Sequence, residues 1–279
     1  MEILSDQITY LWIGVTLYAL AGVFCALSLT FSRLERLLGT AVVVGAVGLI
    51  PHSVAILMRW VEVGHGPYIT FYEVASSDTW IAVAIFVIIA WRYPKLRGAG
   101  IVVFPVSFLL LGAAVLSPNE PRQLLPVLRS WWLVLHVLFA KLAYGPYLVS
   151  LDLSVLYILK TKGWIRSEAI NRRLPSPAVL DELSYRFITF GFMMHAVMIV
   201  AGAIWADQAW GSYWNWDPIE TWALISWIVY AVVLHLRLVH GWRGHRAIGS
   251  VIGATFVVAF AFLAVPFFYG GSHLPLLTF

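Results

Sequence analysis

Trp205–Trp227, WADQAWGSYWNWDPIETWALISW, is the stretch around which the chain can be read. It holds six of the fourteen tryptophans, together with Asp207, Asp217 and Glu220, in a chain otherwise poor in acids. An apolar run precedes it, Tyr185–Ala206, and another follows, Ile219–Leu238, so it joins two candidate helical spans. Tryptophan gathers at membrane–water interfaces, with its ring in the lipid and its N–H among the headgroups. Such a belt needs only one or two tryptophans per helix end, in no fixed order. Here Trp210, Trp214 and Trp216 alternate with Gly211, Ser212 and Asn215, and Asp217-Pro218 ends the run. The pattern predicts a flat apolar surface edged with hydrogen-bonding groups, suited to a large planar ligand with polar edges.

Working outward, 61% of the residues are hydrophobic and only 11% are charged, where a soluble domain carries roughly 25% charge. The chain reads as an all-α polytopic membrane protein, because lipid does not tolerate irregular backbone. A span needs about 20 mostly apolar residues. Eight candidates appear: Ile8–Phe31, Leu37–Met58, Trp80–Ala90 with its flanks, Ile101–Leu116, Trp131–Leu159, Tyr185–Ala206, Ile219–Leu238 and Ile248–Phe268. The first is not a cleaved signal, since Glu2 and Asp6 stand where a basic region would be needed. Cys25, the single cysteine, excludes a disulfide and a Cys-x-x-Cys redox pair. No fixed-period repeat or low-complexity tract appears, and residues 1–279 read as a single integral membrane domain.

The basic residues set the orientation. Alternate loops carry Arg33 and Arg36; Arg92, Lys95 and Arg97; Lys160, Lys162, Arg166, Arg172, Arg173 and Arg186; and Arg237, Arg243 and Arg246, fourteen of the 18 Lys and Arg. The opposite loops carry Arg59, Arg122 and Arg129, and Lys141 lies within the fifth span. The net charge of +4 is therefore a topology signal and not a nucleic-acid one. The rule places the basic loops in the cytoplasm, both termini outside, and the tryptophan segment, residues 205–222, at the outer face. Thr161–Leu183 reads as a solvated linker or as a segment lying on the anionic inner leaflet. Val61–Asp78 reads as an outer loop turned at Gly64-His65-Gly66-Pro67.

Histidine within a membrane is costly and faces the bundle or a cavity. His136 lies five residues into the fifth span and His273 in the outer tail GGSHLPLLTF. Singly, each reads as a bonded core residue or a solvated tail residue. Beside an aromatic platform, two imidazoles fit both axial positions of a haem iron. Glu220, Leu224, Trp227, Ala231 and His235 share one helical face. His235 lies roughly 22 Å along the helix from Glu220, near the inner surface. It reads as a cap or a snorkelling residue, or as a ligand with no obvious intramembrane mate in this chain, His52 and His195 being the candidates. His65, His240 and His245 read as solvated.

These residues resemble a known family. AWGSYWNWDPIETW, Ala209–Trp222, is similar to the "WWD" signature of the cytochrome c assembly proteins. WDPxETWALxxW followed by His235-x-Arg237 looks most like the CcsA (ResC) branch, as does GPYITFYE, Gly66–Glu73. The resemblance covers most of the chain. It implies that His136 and His273 ligate haem at an outer site and that His235 holds haem within the membrane. Trp210, Gly211, Trp214, Trp216 and Asp217 match the signature itself. The second intramembrane histidine is implied to reside in a CcsB (ResB) partner. Ile219 departs from the family's common Lys after Asp-Pro, which puts in doubt a charge there and not the platform.

The implied function is the haem-handling subunit of a system II cytochrome c synthase. It would export haem b and present it for attachment to the Cys-x-x-Cys-His segment of apocytochrome c. The haem supplies the chemistry and the chain supplies orientation. No residue reads as a nucleophile; the thiols would belong to the apocytochrome and be kept reduced by another protein. The setting implied is a lipid bilayer, the bacterial plasma membrane or a thylakoid. The alternatives are a haem transporter without a synthase role, a b-type cytochrome electron carrier and a secondary transporter. A b-type carrier needs stacked histidine pairs, and a transporter often shows inverted repeats and helices broken mid-span; the sequence displays neither.

Overall fold

The computed structural model describes residues 2–118 and 124–265. Every regular element among them is helical: α1 Glu2–Thr30, α2 Leu37–Val63, α3 Phe71–Arg92, α4 Gly100–Leu116, α5 Trp131–Thr161, α6 Glu168–Arg173, α7 Pro177–Trp210, α8 Pro218–Leu238 and α9 His245–Leu263. Eight stretches are long and apolar enough to cross a membrane. They are the helices other than α6, the fourth taking in the 3-10 turn before it as Pro94–Leu116. The chain packs as two compact units, Met1–Arg122 with Asp152–Leu180, and Gln123–Leu151 with Asp181–Phe279.

In the first unit, Tyr18, Cys25, Phe86, Phe104 and Leu111 are buried, with Phe86 edge-on to Phe104 at 5.3 Å. His52 sits in this core with both ring nitrogens engaged, Nδ1 with the Tyr18 hydroxyl at 3.1 Å and Nε2 with Ser76 Oγ at 3.0 Å. A doubly bonded imidazole in a closed core is structural.

The loop expected over Val61–Asp78 is shorter than its sequence suggests, because α3 starts at Phe71. The reason is a capping box, Thr70-x-x-Glu73. The Thr70 hydroxyl accepts the Glu73 N–H, and Glu73 Oε2 accepts the N–H groups of Ile69 and Thr70, which satisfies donors that a helix start leaves orphaned. Glu73 Oε1 accepts from Arg59 Nε at 3.0 Å, with both side chains buried. His65 is buried as well, not solvated. Gly64, at φ 74°, turns the chain back. The ring then donates from Nδ1 to the Gly66 carbonyl, 3.9 Å from Glu73. Burial and the nearby Glu73 carboxylate push the Tyr68 phenol above its ordinary pKa.

The connection after α5 is a folded corner and not a solvated linker. Ile165, Ile170 and Leu174 are buried, Ser167 caps α6, and Lys160 Nζ donates to the carbonyls of Asn171 and Leu174 at 2.8 and 3.0 Å. A lysine at a helix C-terminus finds unpaired carbonyls there. The sixth span consequently begins at Pro177, eight residues before the apolar run does.

In the second unit, Tyr147 of α5 stacks on Tyr230 of α8 at 3.8 Å and 10°. Ile188, Val233, Val251 and Val258 pack in the same cluster. Tyr230 also shares a hydrogen bond with Thr255 of α9, 3.1 Å, so a large buried aromatic keeps its polar atom paired.

Candidate functional site

The site grows from one face of α7. Asp181, Ser184, Ile188, Gly191, His195, Met198, Gly202 and Trp205 recur at alternating steps of three and four, the spacing of a helix–helix seam. Nearly every one meets the second unit's stretch of α5 or the turn before it. Ser184 Oγ lies 2.8 Å from Ser150 Oγ. A Cβ on Gly191 would come within 2.6 Å of the Tyr147 ring, and Tyr147 OH lies 3.4 Å from His195 Nδ1. Trp205 Nε1 donates to the Val127 carbonyl at 3.1 Å.

Within this seam His136 of α5 donates from Nδ1 to the Met198 carbonyl, 2.9 Å. A carbonyl can only accept, so Nδ1 carries a proton, and in the neutral ring Nε2 is then the nitrogen of the kind that binds metals. Backbone carbonyls orient metal-binding imidazoles in this way. The approach depends on Gly202, where a Cβ would stand 2.6 Å from Nδ1. The hydrogen bond expected of an ordinary core histidine is thus present, and it leaves a half-buried imidazole in the tautomer a ligand needs.

Next along the chain, α7 ends at Trp210, and Gly211, at φ 76°, closes it with its N–H on the Asp207 carbonyl, 2.8 Å, a left-handed C-terminal cap. Trp216 is the only described non-glycine residue at positive φ, 57°, a conformation that costs most side chains. Glu220 Oε2 holds it there, accepting from the N–H groups of Asn215 and Asp217 at 2.9 and 3.3 Å. Asp217 is buried and caps α8, accepting the Ile219 N–H at 2.9 Å.

The tryptophans form corners instead of the flat surface expected from their alternation. Trp214 and Trp216 meet at 88° and 5.8 Å, and Trp205 and Trp210 at 73° and 5.1 Å. The reason is the ring quadrupole, which favours edge-to-face contact over coplanarity. Nor do the carboxylates edge that surface, since Asp217 and Glu220 turn back to the backbone. What faces outward is aromatic: Trp216 is 70% exposed and Tyr213 59%. Ser130 Oγ donates to Gln208 Oε1 at 2.8 Å, joining the start of α5 to the end of α7. His136 and the tryptophan loop therefore belong to the same end of the same unit.

The remaining histidines separate clearly. His235 is exposed on α8, its ring 5.6 Å from that of His240. The face it was placed on, with Glu220, Leu224, Trp227 and Ala231, is half-exposed along its length. Trp227 is stacked on Phe192 at 4.8 Å. His195 is fully buried among Tyr144 and Tyr147. His273 lies outside the described residues. Two polar residues escaped the sequence reading. Arg237, counted as a loop cation, is a buried part of α8 bonded to Asp181 and Glu182. Asp152 is fully buried in α5.

The chain is similar to known proteins. The family model of the cytochrome C assembly protein matches residues 68–273. The cytochrome c biogenesis protein CcsA of Synechococcus sp. (strain CC9311) is 33% identical, over 94% of this chain and 96% of that protein. CcsA of Guillardia theta is 30% identical, over 96% and 94%. Among solved structures, the cytochrome c heme lyase CcmF aligns with a TM-score of 0.62 at 17% identity, covering 95% of this chain and 48% of that one, which shows a common fold. With nearly full-length relatives and a family model spanning α3 to the C-terminal tail, the chain belongs to the cytochrome c assembly protein family, in its CcsA branch.

Proposed function

We propose that this chain handles haem within a system II cytochrome c synthase, holding it at the outer face for attachment to apocytochrome c. The observation that carries the reading is the His136 imidazole. Its Nδ1–H is fixed on the Met198 carbonyl, which orients the ring as carbonyls orient metal-binding imidazoles, and it lies at the end of the unit where Trp216 and Tyr213 are exposed. The relatives named for cytochrome c biogenesis, and the heme lyase that shares the fold, support it.

Haem b is cargo in this reading. His136 and His273 supply the axial imidazoles at the outer site. The corner of Trp214 and Trp216 offers apolar ring faces against which a porphyrin can lie. The positive-inside rule puts that end outside and the C-terminal end of α8 inside. His235, exposed on α8, holds haem on the inner half with a ligand from a CcsB-type membrane partner. A thiol-reducing protein keeps the apocytochrome cysteines reduced. Each thiol then adds across a vinyl group, sulfur to one carbon and hydrogen to the other, so no leaving group and no oxidant is required. The chain's task is orientation and exclusion of competing ligands.

The test is the absorption spectrum and haem content of the complex purified with its partner. A low-spin bis-imidazole spectrum is expected. His136→Gly should lose outer haem and regain it with added imidazole, and the wild-type complex should pass haem to a Cys-x-x-Cys-His peptide. Unchanged haem content in both His136→Gly and His273→Gly would overturn the ligand assignment. Haem that cycles in redox titration without transfer would make the protein an electron carrier.

A further inference from the structure

We infer that Arg237 is the positioning residue for His235: by clamping α8 against α7 it sets the rotation of α8 about its own axis and so turns His235 to the exposed side. The inference rests on the haem-binding role proposed above for His235. Two residues apart on an α-helix means about 200° around the axis. The burial follows that geometry, with Arg237 only 4% exposed and His235 on the open side. Whatever fixes one side chain fixes the other.

Arg237 is held more firmly than apolar packing alone could achieve. Nη1 donates to both carboxylate oxygens of Asp181, each at 3.0 Å, and Nη2 donates to Glu182 at 3.1 Å. The guanidinium carbon lies 4.4 Å from the centre of the Tyr185 ring, a cation–π contact. Three contacts around one planar group define an orientation, which a flexible ammonium would not. Glu182 also meets Arg243 at 3.6 Å, so the turn following α8 is drawn to the same anchor. A cation in the last turn of α8 is well placed electrostatically.

Farther from the imidazole, Tyr230 also fixes α8, stacked on Tyr147 and bonded to Thr255, and Trp227 donates to the Phe192 carbonyl; Arg237 continues that hold into the last turn. Tyr230, Val233 and Leu234 form its buried stripe, while Ile228 and Val232 are about half exposed beside His235. Apolar side chains on a lipid-facing helix gain little from facing protein instead of lipid. A twist confined to the last turns of α8 would cost the exposed Val232 little, but it would strip Arg237 of its partners. Of the directional contacts of α8, the ionic one acts at the end where the imidazole must face outward.

The experiment replaces Cys25 by Ser and His235 by Cys, attaches a spin label at position 235, and reads its mobility and its collision with lipid-dissolved oxygen. The same label is then read in Arg237→Met and, as the milder variant should that fail to fold, Asp181→Asn. Loss of oxygen accessibility, or a split into two label populations, is expected in the folded variants, with Arg237→Lys between them and the parent. An unchanged label at position 235 in folded Arg237→Met or Asp181→Asn overturns the inference. In parallel, with His235 and the partner subunit present, Arg237→Met should weaken inner haem retention about tenfold, the scale for losing a support that orients a metal-binding histidine, and imidazole should restore it. A label that turns while haem stays bound leaves the clamp standing and refutes the haem role of His235.

Discussion

The loops that lead into α3 and α8 end in the same kind of cap, Thr70-x-x-Glu73 and Asp217-x-x-Glu220, each with both reciprocal bonds in place. What surrounds the two caps differs. At α3 the glutamate continues inward to a buried arginine, His65 is folded beneath the turn, and the aromatic Tyr72 is buried. At α8 the glutamate spends an oxygen on the loop backbone, and the aromatics Tyr213 and Trp216 are left outside. The first loop is sealed by charge pairing. The second is held rigid by backbone hydrogen bonds so that its large side chains can stay exposed. Rigidity with exposure is what a binding surface requires, since a mobile aromatic pays ordering entropy whenever it binds.

The largest effect should come from unsealing the first loop. Glu73→Ala leaves Arg59 buried without its main partner, which costs roughly 3–5 kcal/mol; thermal unfolding in detergent should show it, and a change within error would mean that Arg59 finds other carboxylates. Next, Gly202→Ala drives a methyl group into the His136 ring. Overpacking of this kind costs about 1–3 kcal/mol, and haem content should fall with it and recover in the double variant with His136→Gly plus imidazole. A smaller loss, about 1 kcal/mol, is expected for Asp217→Ala, the ordinary value of an N-cap. Asp217→Asn retains an accepting oxygen. If it restores both stability and cytochrome c maturation the carboxylate acts as a cap, whereas stability without maturation would place the charge in the chemistry. Least of all in stability should be Trp216→Gly. Relief of the left-handed backbone offsets the entropy of glycine to within about 1 kcal/mol, yet haem presentation should be lost. Normal maturation in that variant would erase the contrast between the two loops.

Much of this was legible in the sequence. Apolar runs located all eight spans, although the third and fourth runs were shorter than the spans that hold them, and the tryptophan segment fell between the right two. The start of α3 was hidden because its capping box lies in an aromatic, turn-rich stretch that looks like loop until Thr70 and Glu73 are paired. Asp217-Pro218-x-Glu220 carried the same signal in plainer form, a cap, a proline at the first helical position and a glutamate two residues later; beside its aromatic neighbours the capping role of the carboxylate went unread. Arg237 was counted as a loop cation because counting charges for topology ignores what each charge touches. The three-and-four recurrence from Asp181 to Trp205 was readable. A mixture of Asp, Ser, Gly, His and Trp at those positions does not register as a stripe on a hydrophobicity scale, although it marks the buried face.

That recurrence also makes α7 a measuring rod. It carries the Arg237 clamp near one end and the anchor of the tryptophan loop at the other, and from Asp181 to Trp205 it rises roughly 36 Å. Along the rod, glycine must stay under Tyr147 and under His136. Its length cannot change. Deleting a single residue between Gly191 and Met198 would shorten it by only about 1.5 Å but rotate everything beyond by roughly 100°. The Met198 carbonyl would leave the His136 ring and Trp205 would leave Val127, with no residue of the binding surface altered. A deletion in the connection between α6 and α7 carries no such rotation past the clamp. The reach of the site is thus encoded as a count of residues, in a helix whose composition alone gives no hint that the count matters.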